Sequence, residues 1–244
     1  MDPLAATVKS HTPTRETLRR VSAHILARRR ADVTGRIGLR PAPGGVGTPA
    51  FGDPIEVVRI DGPHLVLERG ASSTVAGLTT LADLADVVGV DLAGTVELGG
   101  DPPPMGDPAA PLDVDPAAAR AIGAWFWFVA SVLDDVLARA GAAAAASVVQ
   151  LWPEHFDLAC DVAAGPDEGA RANLGGSPGD DRDPEPYLYV GPWGDARPGG
   201  DAYWNAPFGA VLPHARLRDA GDPMAAHAMA VDFMTRGLDL LRHG

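Results

Sequence analysis

The feature that most limits the fold is a long apolar helix predicted in the middle of the chain. Asp115 followed by Pro116 is typical of a helix start, because aspartate caps the first turn and proline needs no hydrogen-bond partner there. The helical pattern runs to about Arg139 and stops at Gly141. Residues 125–128 (WFWF) make its middle apolar on nearly every side. A helix of this kind is usually packed between other elements, so the chain is expected to fold around it.

The part of the chain before this helix combines helices with several short strands. Thr12-Pro13 starts a predicted helix that reaches about Arg30 and has apolar residues on one face. Short apolar runs bounded by turn residues such as Asp61-Gly62 then indicate an antiparallel meander. The predicted strands are Gly35–Arg40, Val46–Phe51, Ile55–Ile60 and Leu65–Glu68. A second helix over residues 78–88 and a strand at Thr95–Leu98 complete this part.

The part after the long helix repeats the plan. From His155 to Val162, polar and apolar residues alternate, which is typical of a strand with one buried face. The later elements are a turn at Gly165–Gly169, strands at Ala170–Gly175, Tyr187–Val190 and Phe208–Leu212, and a last helix from Asp222-Pro223. The sequence therefore predicts an α+β fold in which antiparallel sheets pack against helices. Two similar halves, each a helix, a meander and a helix, fit this order.

Composition suggests four parts of the chain. We expect a flexible N-terminus at residues 1–11, an N-terminal α+β half at 12–98, a linker at 99–114 and a C-terminal α+β half at 115–244. The linker prediction rests on its proline and glycine content, which includes Pro102-Pro103-Pro104. The two halves are expected to pack as one unit.

The charge distribution argues against nucleic-acid and membrane partners. The net charge is −12, yet residues 1–40 carry nine Lys or Arg side chains against three acidic ones. A basic helix can bind a polyanion, but the field of the remaining chain repels polyanions. We therefore expect the basic helix to lie against the chain's own acidic surface.

Cysteine content and hydropathy favour a soluble, cytoplasmic protein. Cys160 is the one cysteine in the sequence, so an internal disulfide is not possible. The N-terminus lacks the apolar core of a signal peptide. The longest uncharged apolar run, Ala121–Leu133, is too short to span a bilayer. The oligomeric state does not follow from these observations.

Aromatic and acidic residues concentrate between Val148 and Leu217, where we predict a ligand pocket. Eight of the fourteen aromatic residues lie between Trp152 and Phe208, among eleven acidic side chains. Aromatic walls with a few placed polar groups are typical of small-molecule sites, although the same rings could instead pack a core. The predicted ligand-binding residues are Trp152, Asp157, Glu185, Tyr187, Tyr189 and Trp193.

Two carboxylates and a histidine in this stretch are the candidates for catalysis. If the strand includes residue 155, His155 and Asp157 project from one face, as two metal ligands or a base and its orienting group would. Asp180 could add a ligand, but the spacing is common by chance, so neither a metal nor a cofactor is predicted. Glu185 lies between two prolines, which hold its backbone extended. Signatures of nucleotide, zinc and serine-hydrolase sites are missing from the sequence.

The order of motifs in the second half resembles a bacterial family known only as a domain of unknown function. The motifs are FDLA (156–159) after a tryptophan-bearing strand, SPG (177–179), PEPxxY (184–189) and VLP (211–213). The resemblance brings no established activity. It implies that Asp157, Glu185 and Tyr189 belong to a shared pattern. Other branches carry a small residue in place of His155, which makes Asp157 and Glu185 the stronger candidates.

Three functions stay open at this point. The favoured one is a binding protein for a small organic ligand, because no catalytic signature is complete. The second is a hydrolytic or metal-dependent enzyme that uses Asp157 and Glu185. The third is a structural or regulatory protein that binds a partner through its basic first helix.

Overall fold

The chain folds into two compact units. The computed structural model describes residues 2–165, 169–195, 197–200 and 202–243. The first unit consists of Met1–Phe126 with Leu151–Asp157, and the second of Trp127–Gln150 with Leu158–Gly244. The division of the chain at residues 99–114 stays a prediction.

A helix in three parts opens the first unit. Its parts are α1 (His11–Val21), a π-helical segment (Ser22–Ala27) and α2 (Arg28–Thr34). The apolar face expected from the sequence is buried, as Leu18 and Ile25 show. The helix ends where Gly35 takes a φ of 70°, which glycine adopts without a steric penalty. The sequence pattern located this helix but ended it about one turn too early.

The first sheet is a five-stranded antiparallel meander. Its strands follow chain order: β1 (Arg40–Ala42), β2 (Gly45–Gly47), β3 (Glu56–Asp61), β4 (His64–Arg69) and β5 (Ser72–Gly77). The strands predicted at Ile55–Ile60 and Leu65–Glu68 correspond to β3 and β4. The strand predicted at Gly35–Arg40 is wrong, because the first hairpin turns at Pro43-Gly44 and has its strands on either side.

A long irregular segment follows α3 (Leu81–Val88). Residues 89–115 contain no helix or strand apart from an isolated bridge between Pro111 and Thr80. The strand predicted at Thr95–Leu98 is therefore wrong. The backbone carbonyls of this segment accept hydrogen bonds from the first helix: Asp91 and Gly94 from Arg28, Asp101 from Arg19, Pro103 from His24 and Met105 from Arg20.

Helix α4 (Pro116–Ala140) is the long apolar helix that the sequence predicted. Asp115 caps it, since its Oδ1 accepts the backbone N–H groups of Ala117 and Ala118 at 3.0 and 2.8 Å. Trp127 is 50% exposed, so the aromatic middle of the helix is not covered on every side.

By length and apolar composition, residues 116–144 could also cross a membrane. Half of the apolar window in this helix is buried inside the protein. The core helix of a soluble protein meets the same criterion, so the observation does not indicate a membrane protein by itself.

The second sheet is again a five-stranded antiparallel meander. Its strands in chain order are β6 (Gln150–Trp152), β7 (Asp157–Ala163), β8 (Arg171–Ser177), β9 (Tyr187–Pro192) and β10 (Ala210–Pro213). Of the turn predicted at Gly165–Gly169, residues 166–168 lie outside the described part of the chain. The acidic residue Asp201 lies outside it as well.

Two helices, α5 (His214–Arg218) and α6 (Pro223–His243), follow the second sheet. Leu188 and Val190 point to the side of β9 that packs on α6, where a Cβ on Gly237 would lie 3.0 Å from Val190 Cγ1. Along the chain, α1 and α2 precede the first meander and α3 follows it, while α4 precedes the second meander and α5 and α6 follow it. The predicted α+β class, with antiparallel sheets and helices, is confirmed.

Candidate functional site

The six predicted ligand-binding residues are divided between the two units. Trp152 at the end of β6 and Asp157 at the start of β7 are half-buried and belong to the first unit. The second unit holds the other four: Glu185, Tyr187, Tyr189 and Trp193. A majority of the predicted set thus lies within one compact unit.

His155 does not share a strand face with Asp157. Residues 153–156 form a turn in which Phe156 has a φ of 56°, and β7 begins only at Asp157. The left-handed backbone lets the Phe156 ring pack edge-on against Phe126, with 5.3 Å between centroids. His155 is exposed. The arrangement expected for a metal pair, or for a base and its orienting group, is therefore wrong.

Glu185 is an exposed residue of the loop before β9. Its backbone N–H donates to Asp183 Oδ1 at 3.0 Å, a contact that shapes the turn. Glu185 therefore lies on the surface of the loop and not inside a closed cleft.

The described residues were compared with the requirements of a metal site and of a reactive thiol. Among them, no group of three or more His, Cys, Asp or Glu side chains is placed to hold a metal ion. Burial and, to a smaller extent, the charge of Asp161 raise the pKa of the Cys160 thiol to about 12. The thiol is therefore protonated at neutral pH and is a poor nucleophile.

One face of the second sheet carries tyrosines where the other carries aliphatic side chains. Successive side chains of a strand point to opposite faces, so Tyr187 and Tyr189 lie opposite Leu188 and Val190. We call this surface the tyrosine face. Its residues are Asp161, Arg171, Asn173, Gly175, Tyr187, Tyr189, Trp193 and Phe208.

Gly175 makes room for the ring of Tyr189. The two residues are paired across β8 and β9, and a Cβ on Gly175 would lie 2.6 Å from Tyr189 Oη. The Tyr189 ring therefore lies across the glycine. Phe208 meets this ring edge-on at 6.2 Å, and the Tyr187 ring is 6.3 Å away. Tyr189 and Phe208 are half-buried, so the aromatic group is partly open to solvent.

Asp180 holds Tyr187 in position. The Tyr187 hydroxyl donates to Asp180 Oδ2 at 2.7 Å, while Oδ1 accepts the backbone N–H groups of Arg182 and Asp183 at 2.8 and 2.9 Å. Burial raises the pKa of Asp180, but these hydrogen bonds and the nearby charge of Arg182 together outweigh burial and lower the pKa overall. Asp180 is thus a charged acceptor that orders the loop.

Arg182 brings a positive charge to the rim of the tyrosine face. Its guanidinium carbon lies 5.5 Å from the centroid of the Phe208 ring, a cation–π distance. The side chain is exposed. It forms no salt bridge with any residue in the part of the chain that the structure describes.

Trp193 lies at the other end of the face and is 59% exposed. Its Nε1–H donates to Asn173 Oδ1 at 2.9 Å, and the Arg171 guanidinium lies 5.8 Å from its ring centroid. Arg171 is ion-paired with Asp161. The indole is therefore exposed and also held in one orientation. Sequence reasoning identified Trp193 but not its supports, Asn173 and Arg171, which become neighbours only through strand pairing.

The basic first helix uses its side chains within the first unit. Besides the carbonyls of residues 91–105, Arg29 binds the carboxylate of Glu56 and Arg19 binds the carbonyl of Glu154 at 2.8 Å. The acceptors are mostly backbone carbonyls and not the acidic surface that the sequence suggested. A partner that binds this helix would have to compete with these hydrogen bonds.

An open groove runs along α6 in the second unit. It has a volume of about 630 Å³ and is lined by Asp232, Thr235, Arg236, Asp239, Leu240 and His243. Sequence reasoning missed it, because this pattern is also that of the solvent face of an amphipathic helix. Its charges have both signs and indicate no particular ligand.

Comparisons with known proteins were made for the whole chain. No family model, curated protein or solved structure matches it. The resemblance carried by the FDLA, SPG, PEPxxY and VLP motifs stays a prediction.

Proposed function

We propose that this chain is a binding protein whose second unit takes an elongated organic anion with a flat ring on the tyrosine face. The observation that carries the proposal is Trp193, whose indole is 59% exposed and yet held by Asn173 and Arg171. A large side chain that is already fixed loses little entropy when a ligand ring stacks on it. Trp and Tyr are the residues on which binding surfaces most depend.

Arg182 is the residue that would bind the acidic group of the ligand. Its exposed guanidinium lies beside Phe208, and a guanidinium binds a carboxylate or phosphate through two parallel hydrogen bonds. Tyr189 and Trp193 are four residues apart on one chain segment, which is about 13 Å at ~3.3 Å per residue. A ligand that contacts both ends of the face is therefore elongated.

Binding accounts for this face better than catalysis. Asp161 is paired with Arg171, and Asp180 accepts hydrogen bonds from Tyr187 and two loop amides. Cys160 lies on β7 between Ala159 and Asp161 and so points to the opposite face of the sheet. The tyrosine face thus offers groups for recognition without an acid–base pair.

A thermal-shift screen of aromatic carboxylates and aromatic phosphate monoesters tests the proposal. A ligand at about 100 times its Kd stabilises the folded chain by about 2.7 kcal/mol, which raises Tm by about 5 to 10 °C for a chain of this size. The variants are Trp193→Ala and Arg182→Ala. The matched control is Trp127→Ala, which removes a tryptophan of similar exposure, 50%, from α4.

The expected result is a ligand that stabilises the wild type and Trp127→Ala but neither variant of the tyrosine face. Equal stabilisation of all four proteins would place the ligand elsewhere. The absence of any stabilising compound from the two classes would also contradict the proposal.

A further inference from the structure

The sheet edge formed by β10 is closed by a side chain. An open edge presents unpaired N–H and C=O groups and therefore invites pairing with another strand. The side chain of Asn205 satisfies both outward-facing backbone groups of Val211. Its Nδ2 donates to the Val211 carbonyl at 2.9 Å, and its Oδ1 accepts the Val211 N–H at 2.8 Å. The next outward-facing residue is Pro213, which has no N–H to offer.

The edges at β1 and β6 are occupied too. Leu39, which precedes β1, and Leu151 of β6 exchange two backbone hydrogen bonds of 2.8 Å. Pro41, in the middle of β1, lacks an N–H. The chain therefore protects three of the four edges of its two sheets.

The fourth edge, at β5, is open. Leu78 donates its N–H to the Pro63 carbonyl at 2.9 Å, so these two residues form a hydrogen-bonded pair at the end of the β4–β5 ladder. From this pair onward, hydrogen-bonded and non-hydrogen-bonded residue pairs alternate along the two strands. With this alternation, the backbone groups of Ser73, Val75 and Gly77 point away from β4. The N–H groups of these three residues donate to no acceptor within the described ranges, although the Gly77 carbonyl accepts the Thr79 N–H.

The composition of β5 also favours pairing. The strand reads SSTVAG, without a charge or a proline, which are the usual devices that block an edge. All its side chains are at least partly exposed, and Val75 is 63% exposed. At the other three edges, by contrast, a side chain, a proline or a backbone pairing blocks the approach of another strand.

We propose that β5 pairs antiparallel with β5 of a second copy of this chain. Strand-addition sites for peptides obtain specificity from pockets that receive alternate side chains. The small, exposed side chains of β5 form no such pockets, whereas pairing with itself requires only self-complementarity. If the two-fold axis passes through Val75, Val75 lies opposite Val75 of the second copy, and Ser73 lies opposite Gly77 of the second copy. None of these residues is charged, so no like charges face each other across the pair.

The resulting dimer is expected to be weak. One pair of six-residue strands buries much less than the roughly 1,600 Å² of a standard protein interface. The association should therefore depend on protein concentration. The net charge of −12 opposes it further at low salt.

Sedimentation velocity of the full chain over about a hundred-fold range of concentration tests the proposal. The test variant is Val75→Lys, which places a charge on the edge. The matched control is Val148→Lys, because Val148 is 78% exposed and lies outside β5. The wild type and the control should dimerise as concentration rises, and Val75→Lys should remain a monomer with unchanged circular dichroism.

Hydrogen exchange on the wild type gives a readout that does not depend on any variant. The amides of Ser73 and Val75 should exchange more slowly at high protein concentration, while exposed loop amides do not change. A wild type that is monomeric at every concentration overturns the proposal. A dimer that persists in Val75→Lys overturns it as well. So does slower exchange of the Ser73 and Val75 amides that appears only when an extended peptide is added and not when the protein concentration is raised.

Discussion

Glu56 is the buried centre of an ion-pair network in the first unit, and its removal should cost more stability than the loss of an exposed charge. Its side chain is 4% exposed and accepts hydrogen bonds of 2.7 and 2.9 Å from Arg29 and of 2.7 Å from Arg69. Breaking a buried pair by removing one partner costs about 3 to 5 kcal/mol. Arg69 is 42% exposed, so water can solvate it when Glu56 is replaced. We therefore expect the lower end, about 3 kcal/mol, for Glu56→Gln.

The same network sets a pH dependence. Burial raises the pKa of Glu56, but the hydrogen bonds from Arg29 and Arg69 outweigh burial and lower the pKa overall. A carboxyl whose folded-state pKa is lowered contributes fully above its unfolded-state pKa of about 4.3. That contribution is lost as the pH falls through the folded-state value. The stability difference between the wild type and Glu56→Gln should therefore shrink below about pH 4.

Urea unfolding followed by circular dichroism, at neutral and at acidic pH, measures both effects. The control is Glu68→Gln, which removes a 48% exposed partner of Arg59 and should cost about 0 to 1 kcal/mol. A cost below about 1 kcal/mol for Glu56→Gln would refute the reasoning. A difference that stays constant with pH would refute it as well.

Three further predictions concern single contacts. Gly175→Val should displace the Tyr189 ring and cost about 1 to 3 kcal/mol in urea unfolding, since a Cβ there would lie 2.6 Å from Tyr189 Oη. Tyr187→Phe should cost about 1 kcal/mol by leaving Asp180 without one donor, and a fully silent substitution would contradict the role given to that hydrogen bond. Arg28→Ala should speed limited proteolysis within residues 91–105, because the carbonyls of Asp91 and Gly94 lose their donor; an unchanged cleavage rate would show that this segment is held by other contacts.

The α+β class could be predicted because its signals are local. Asp115-Pro116 begins α4, and the alternation of Leu158, Cys160 and Val162 places one buried face on β7. Caps and period-two patterns act within a few residues, so they are visible in the sequence.

There is a physical reason why β5 could not be predicted from the sequence. Its residues are small or polar, and no face of the strand is buried, so the alternation that identifies strands is absent. The strand exists because Gly70 and Ala71 turn the chain back onto β4.

Of the residues on the tyrosine face, the sequence singled out Tyr187, Tyr189 and Trp193, but not Phe208, Asn173 or Arg171. Tyr189 and Trp193 are visible as large side chains on or beside a strand. His155 was misplaced because Phe156 takes a left-handed backbone that its sequence context does not indicate. The partners of Trp193 come from β8, and such pairing across strands cannot be inferred from short-range patterns.

The Trp193 indole N–H resonance tests the ligand-binding account most directly. Among the five tryptophans of the chain, it is assigned by the indole signal that disappears in Trp193→Phe. On titration with the best compound of the screen, the account predicts a saturable shift of this signal, an unmoved Trp127 signal, and an affinity about ten-fold or more lower in Arg182→Ala. A Trp193 signal that stays in place while the ligand binds would contradict the account.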